Sequence, residues 1–189
     1  MAASAQLCSV SDVKQYLGLT DSAHDALVTS LVNGASEAIE NFCRRRFGEE
    51  EYTEYHDGAD SALLLLDHRP VMSIDEVRED PCRDFEGCDP VDEDDYVLYP
   101  EEGLLLRTSG MFARGMRNVR VVYTAGYSSV PAVVGQACVA LVASWFNRGH
   151  QGGDGLESEQ FGDYSAKYAS RALPPEVTEL LVRYTDLCV

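Results

Sequence analysis

Basic residues are scarce in this chain. Fifteen Lys and Arg stand against 32 Asp and Glu over 189 residues, giving a formal net charge of −17 and a pI near 4.4. A surface of that sign repels phosphate, which argues against wrapping duplex DNA through a broad basic face and against docking on an anionic membrane. Long apolar runs are missing too. The longest, Ala132 to Phe146, is broken by Gly135, Gln136 and Ser144 and is shorter than the ~20 residues a bilayer-spanning helix needs. Met1 to Cys8 has neither a basic nor an apolar signal region, so the expectation is a protein made in a cytoplasm without an export signal.

The spacings that carry catalysis are also absent. There is no G-x-S-x-G elbow, and His24, His56, His68 and His150 form no HExxH-type helix pair. Gly152-Gly153-Asp154-Gly155 resembles a phosphate loop in composition only, since the Walker lysine is missing. The six cysteines (8, 43, 82, 88, 138 and 188) are scattered, and without an export signal they are expected to be mostly reduced. Cys82 and Cys88 flank five residues, which is not a zinc-knuckle spacing. They read as two loop thiols, or as a local disulfide in an oxidised sample. The acids around them lack the EF-hand order. No enzymatic activity, cofactor or metal is expected.

What is present is a pattern of helix, strand and helix again. Ser9-x-x-Asp12 is a capping-box-like start, Val10, Val13 and Leu17 share a face, and Gly18 closes a short first helix. Asp21 or Ser22 then caps a second helix of about six turns. Its stripe is Leu27, Leu31, Ala35, Ile39 and Phe42, widened by Ala38 and Cys43, with Glu37 and Glu40 outward, Arg44-Arg45-Arg46 in the last turn and Gly48 as the stop.

From 50 to 127 the period falls to two, and short strands are expected around Tyr52–Tyr55, Ala62–Leu66, Val71–Ile74, Tyr96–Tyr99, Leu104–Leu106 and Val119–Tyr123. Turns are expected at Asp57-Gly58, Arg69-Pro70, Pro100 to Gly103, and Gly110. A loop from Glu79 to Asp95 holds nine acids and one Arg, nearly half the excess charge. Pro131 opens a third helix, ending near Gly149, that is apolar on almost every side and must be covered by its own domain or by a neighbouring subunit. A Gly-rich loop follows, then an extended segment from Phe161 to Tyr168. Pro174-Pro175 starts a last helix with Val177, Leu180, Leu181 and Tyr184.

The length permits one core, and no repeat or linker stands out. The fold class is therefore α+β: two N-terminal helices, one buried central helix and one C-terminal helix form a helical core, with residues 50–127 a β-rich insertion in a single domain spanning 1–189.

Taken in order, several segments resemble the head-tail connector (adaptor) proteins of long-tailed bacteriophages and related gene-transfer particles. They are Val13-Lys14-Gln15-Tyr16-Leu17-Gly18, Ala38-Ile39-Glu40-Asn41-Phe42-Cys43-Arg44-Arg45-Arg46-Phe47, Arg69-Pro70-Val71 with Ile74-Asp75-Glu76-Val77, Val121-Val122-Tyr123-Thr124-Ala125-Gly126-Tyr127 with Val130-Pro131, Phe161-Gly162-Asp163-Tyr164-Ser165, and Leu173-Pro174-Pro175-Glu176-Val177. The departure is the acidic 79–95 segment with its two cysteines. The resemblance implies a structural virion protein of the neck, made in a bacterial host. It would form a homo-oligomeric ring, usually twelvefold, beneath the portal protein, extend the DNA channel and offer a platform to stopper or tail-completion proteins. It implies no catalytic residues, and genome DNA would pass through the lumen without sequence-specific binding.

Candidate subunit or portal contacts are Arg44, Arg45 and Arg46, Trp145 and Phe146, Phe161 and Tyr164, and Leu180 and Tyr184. For the arginines, a helix-terminus role and an intersubunit ion pair with Glu49–Glu51 or the 79–95 loop both remain open. For Trp145-Phe146 the alternatives are core packing and an interface anchor. Asp92, Glu93, Asp94 and Asp95 form a candidate acidic surface. A different class of function, an acidic module that captures a basic partner through 79–95, would use those same acids.

Overall fold

The computed structural model describes residues 6–150, 158–161, 164–167 and 173–185. Their architecture is α+β and divides into two compact units, residues 1–47 with 130–189, and residues 48–129.

In the first unit, α1 (Val10–Leu17) begins on a reciprocal cap. The Ser9 hydroxyl accepts the Asp12 N–H at 3.1 Å, and the Asp12 carboxylate accepts the Ser9 N–H. Gly18 ends it at φ +70°, a left-handed conformation that glycine takes without a Cβ penalty.

The second helix, α2 (Asp25–Cys43), departs from the sequence reading in four ways. It starts at Asp25 with His24 at the cap position and without a side-chain cap, while Asp21 instead accepts the Ala23 N–H in the preceding turn. Its buried stripe is Val28, Val32, Ala35, Ile39 and Cys43, one position round from Leu27 and Leu31, and Leu27 is exposed. On the Leu27 side, Gly34 packs closely on α3: a Cβ there would touch the Trp145 ring at 3.6 Å. Glu40 points inward, 5% exposed. Lastly, the helix stops at Arg44, which is left-handed at φ 56°, before Gly48 is reached, so the arginine triplet lies beyond the last turn.

The third helix, α3 (Ala132–His150), is covered largely by its own unit. It packs against α1, α2 and α4 (Pro175–Leu181), and Val134, Ala137, Cys138, Leu141, Val142 and Phe146 are buried while Val133 stays 38% exposed. The Pro131 carbonyl accepts the Val134 and Gly135 N–H groups at its start, and the helix runs one residue past Gly149. In α4, Val177 and Leu181 are buried. The expected extended segment is a hairpin, β7 (Ser158–Phe161) with β8 (Tyr164–Lys167), in which Phe161 stands opposite Tyr164.

The second unit holds six strands: β1 (Glu50–Gly58), β2 (Leu63–Leu65), β3 (Val71–Glu79), β4 (Tyr96–Tyr99), β5 (Leu104–Arg107) and β6 (Gly115–Ala125). They form two antiparallel three-stranded sheets, ordered β1-β6-β3 and β2-β5-β4. Leu64, Leu105, Val77, Val119, Val121, Tyr123 and Phe112 meet in one core that also takes in Leu98 and Tyr52. Asp57-Gly58 is not a turn. Gly58 ends β1 at a register shift opposite Gly115, and a Cβ there would lie 1.8 Å from the Ala113 carbonyl oxygen, so the bulge requires glycine. The Arg69–Pro70 peptide is cis. No described helix is long and apolar enough to cross a membrane.

Candidate assembly surfaces

The arginine triplet is built around Glu40. Its buried carboxylate accepts the Phe47 N–H at 3.3 Å and pairs with the Arg46 guanidinium at 2.7 Å, tying the chain leaving α2 back onto the helix. Arg46 is thus committed inside its own chain, and Arg45 lies over the Phe47 ring at 5.7 Å. Arg44 is exposed.

Among the aromatic candidates, Phe146 is buried and meets His24 edge-on at 5.6 Å, whereas Trp145 is half-buried against α2. Tyr184 is half-buried, edge-on to Phe47 at 5.9 Å. Leu180 is 40% exposed and lines a groove of about 800 Å³ between α1, α3 and α4, together with Leu7, Tyr16, Val130 and Val139. The side chains of Phe161 and Tyr164 lie outside the described residues.

The acidic 79–95 segment is pinned at its base. Arg78 donates to the carbonyls of Phe85 at 2.6 Å and Cys88 at 3.0 Å. The Asp80 carboxylate accepts three N–H groups, those of Cys82, Asp84 and Phe85. These bonds stabilise its ionised form and hold its pKa below the usual range. Phe85 is 4% exposed and lies beneath Arg120, 5.3 Å from its guanidinium. Asp92, Glu93 and Asp94 remain exposed and Asp95 half-buried, in a 3-10 turn capped by the Asp92 side chain. Cys82 is exposed, and the buried Cys8 and Cys138 sulfurs lie 3.2 Å apart. No group of His, Cys, Asp and Glu suited to a metal ion occurs among the described residues.

Two features went unread in the sequence. The first is the outer face of the β2-β5-β4 sheet. The register places Leu63, Leu106 and Val97 in one row and Leu65, Leu104 and Tyr99 in another, both on the side opposite the core row Leu64, Leu105 and Leu98. Leu63, Leu65, Val97 and Tyr99 are 52%, 59%, 44% and 42% exposed. The signal was available: Leu63–Leu66 and Leu104–Leu106 do not alternate with polar residues, so both faces of the sheet had to be apolar.

The second is a polar cluster on the inner side of β1. Glu54 accepts from His56 Nε2 at 2.8 Å, His68 Nδ1 at 2.7 Å, the Asp67 N–H at 3.1 Å, and the Tyr123 hydroxyl. Burial by itself would raise the Glu54 pKa. The hydrogen bonds from His56, His68, Tyr123 and Asp67 outweigh it and hold the carboxyl well below the ordinary range. Burial, and then the neighbouring carboxylate, push the Tyr123 phenol up. His68 also stacks on Tyr52 at 3.7 Å. Nothing in the spacing of Glu54, His56, His68 and Tyr123 announced this convergence.

The described surface thus carries an exposed apolar sheet face and an exposed acidic stretch beside an internal polar cluster. The chain belongs to the head completion protein family, which it matches over residues 6–187, and its class is therefore structural virion protein rather than enzyme. No curated protein matches it closely enough to count as a relative. Among solved structures, it is similar to a chain in the neck of an empty GTA particle computed with C6 symmetry, at 19% identity and a TM-score of 0.66. It is similar at 18% identity and 0.65 to one in the neck of a native GTA particle computed with C12 symmetry. A chain of the virion of the native gene transfer agent particle gives 19% and 0.65, and in each case the match covers 100% of this chain and 94% of the other. At that identity the likeness establishes a shared fold.

Proposed function

We propose that this head completion protein is a head-tail connector of the virion neck, in which copies of the chain form a ring beneath the portal protein. In this reading the ring extends the DNA channel and receives stopper or tail-completion proteins, with residues 1–189 acting as one adaptor. The observation that carries the reading is the family match over residues 6–187, supported by full-length likeness to chains from necks computed with C6 and C12 symmetry. The charge is consistent with it. A chain of net −17 lets DNA pass close by without the cationic contacts that would hold it. Negative-stain imaging of particles carrying a tag on this protein tests the reading: label at the neck is expected, and label elsewhere overturns it.

A further inference from the structure

The fold brings two cysteines that stand 130 residues apart in sequence together in the interior of the first unit. We infer that Cys8 and Cys138 are a modification site: they close a disulfide when the protein meets a small oxidant of the peroxide class, and the bond clasps the N-terminal segment onto α3. This goes beyond the ring reading and stands whether or not copies assemble into a ring.

Three observations support it. The first is the placement of the sulfurs. The Cys8 thiol donates to the Cys138 sulfur at 3.2 Å. A disulfide bond is ~2.05 Å long, so each sulfur has to travel roughly 0.6 Å, a distance that small side-chain rotations cover.

The second is the backbone that carries them. Cys8 lies in the short segment before the Ser9 cap of α1, and Cys138 lies inside α3. That segment is fastened to α2 just before Cys8: the Gln6 side chain donates to Asn33 Oδ1 at 2.9 Å, and the Leu7 N–H donates to the Ser36 hydroxyl at 3.1 Å. It also crosses α3 closely, since a Cβ on Gly135 would touch the Leu7 carbonyl oxygen at 3.4 Å. Gly135 and Cys138 are neighbours on one face of the helix, so the crossing at the first sets the Cys8 sulfur against the second. Ser36, whose hydroxyl donates to the Val32 carbonyl at 2.8 Å, sits 3.8 Å from the Cys138 sulfur and completes the surround.

The third is access. Cys138 is fully buried, but Cys8 is 9% exposed and lines the groove of about 800 Å³ between α1, α3 and α4, which admits a molecule the size of hydrogen peroxide. Disulfides form and persist on virions, outside the reducing cytoplasm, and this chain is a structural virion protein. The chemistry balances. One thiol gives up its proton and its sulfur attacks the peroxide O–O bond, taking one oxygen as a sulfenic acid while the other leaves as water. The second sulfur then displaces that hydroxyl, which leaves with the second thiol proton as water, and the S–S bond forms. Two thiols are oxidised and one peroxide is reduced.

The test is peptide mapping of the full chain. Reduced, desalted protein is treated with hydrogen peroxide, the remaining thiols are alkylated under denaturing conditions, and the chain is digested without reductant. The Cys8 and Cys138 peptides are expected as one linked species that separates on reduction, and the same species is expected from purified particles whose thiols were blocked at lysis. Both peptides recovered alkylated from either sample, while exposed Cys82 is oxidised in the peroxide-treated one, overturn the proposal. Either cysteine linked elsewhere overturns it too. As a second readout, oxidation should raise the urea midpoint by roughly 1 M, because the bond closes a loop containing all of residues 48–129. Reductant should abolish that gain in the wild type and in Cys82→Ser, and Cys8→Ser should show none; a reductant-reversible gain of wild-type size in Cys8→Ser refutes the assignment.

Discussion

Glu54 offers the most direct test of what holds the second unit together. Its carboxylate is the common acceptor for His56, His68, the Asp67 N–H and the Tyr123 hydroxyl, and its side chain is 11% exposed. Replacement by Ala strands these donors unequally. The His56 and His68 side chains are 17% and 37% exposed, so water can replace much of what they lose. Tyr123 is fully buried, and its hydroxyl keeps only a 3.4 Å approach to His68 Nδ1 and the His68 N–H it accepts at 3.1 Å. At about 1–3 kcal/mol for a stranded buried donor, and less for the wetted ones, Glu54→Ala should cost about 2–4 kcal/mol.

The assay is equilibrium urea unfolding of the full chain, with Glu51→Ala, an exposed acid on the same strand, as the reference within about 0.5 kcal/mol of wild type. The pH dependence follows from the sign of the shift. The folded pKa lies below the ordinary value of 4.5, so the stabilisation is fully present above that value and is lost as pH falls below it. The gap between wild type and Glu54→Ala should therefore narrow on acidification. In a double-mutant cycle, Tyr123→Phe should couple to Glu54→Ala rather than add to it. A Glu54→Ala cost no larger than that of Glu51→Ala, or a gap that widens in acid, refutes the reasoning.

Three further outcomes are expected. Glu40→Ala removes the acceptor of the buried Phe47 N–H and the partner of Arg46, and should cost about 2–3 kcal/mol in the same urea assay, whereas Glu37→Ala on the exposed side should be near neutral. Arg78→Ala releases the Phe85 and Cys88 carbonyls and should make the 79–95 segment the first site of limited proteolysis, located by mass spectrometry; an unchanged cleavage order would contradict the pinning. Peptide-resolved alkylation of the native protein should modify Cys82 well before Cys8, Cys43 and Cys138, which are buried.

Strand positions were legible because turn residues bracket short β-rich runs, and each expected run lies within or overlaps an observed strand. The first helix was legible through its caps, which are local interactions. In α2 the expected face held at Ala35, Ile39 and Cys43 but not at Leu27 and Leu31, because periodicity weighs large apolar residues most and the buried positions are Val28 and Val32, one residue on. Glu40 and Glu54 were misread or missed for a shared reason. A charged side chain in an amphipathic pattern reads as outward, and only the fold supplies the donors that let it turn in: the Arg46 guanidinium and Phe47 N–H for one, two histidines and a tyrosine for the other. Of the candidate contact residues, Phe146 and Arg46 find partners within the chain, while Leu180 and the acids 92–94 stay open to solvent.

The distribution of charge bears on how such a chain would wait before assembling. Exposed acids rim the apolar sheet face, so two free copies meet an electrostatic barrier before any apolar contact forms. Four exposed apolar side chains do not by themselves supply a stable pair once the lost freedom of two proteins is counted. Holding copies side by side on a symmetric platform changes that balance, because the next contact becomes intramolecular and its effective concentration rises steeply. By screening that repulsion, raising the salt should favour encounter between free copies.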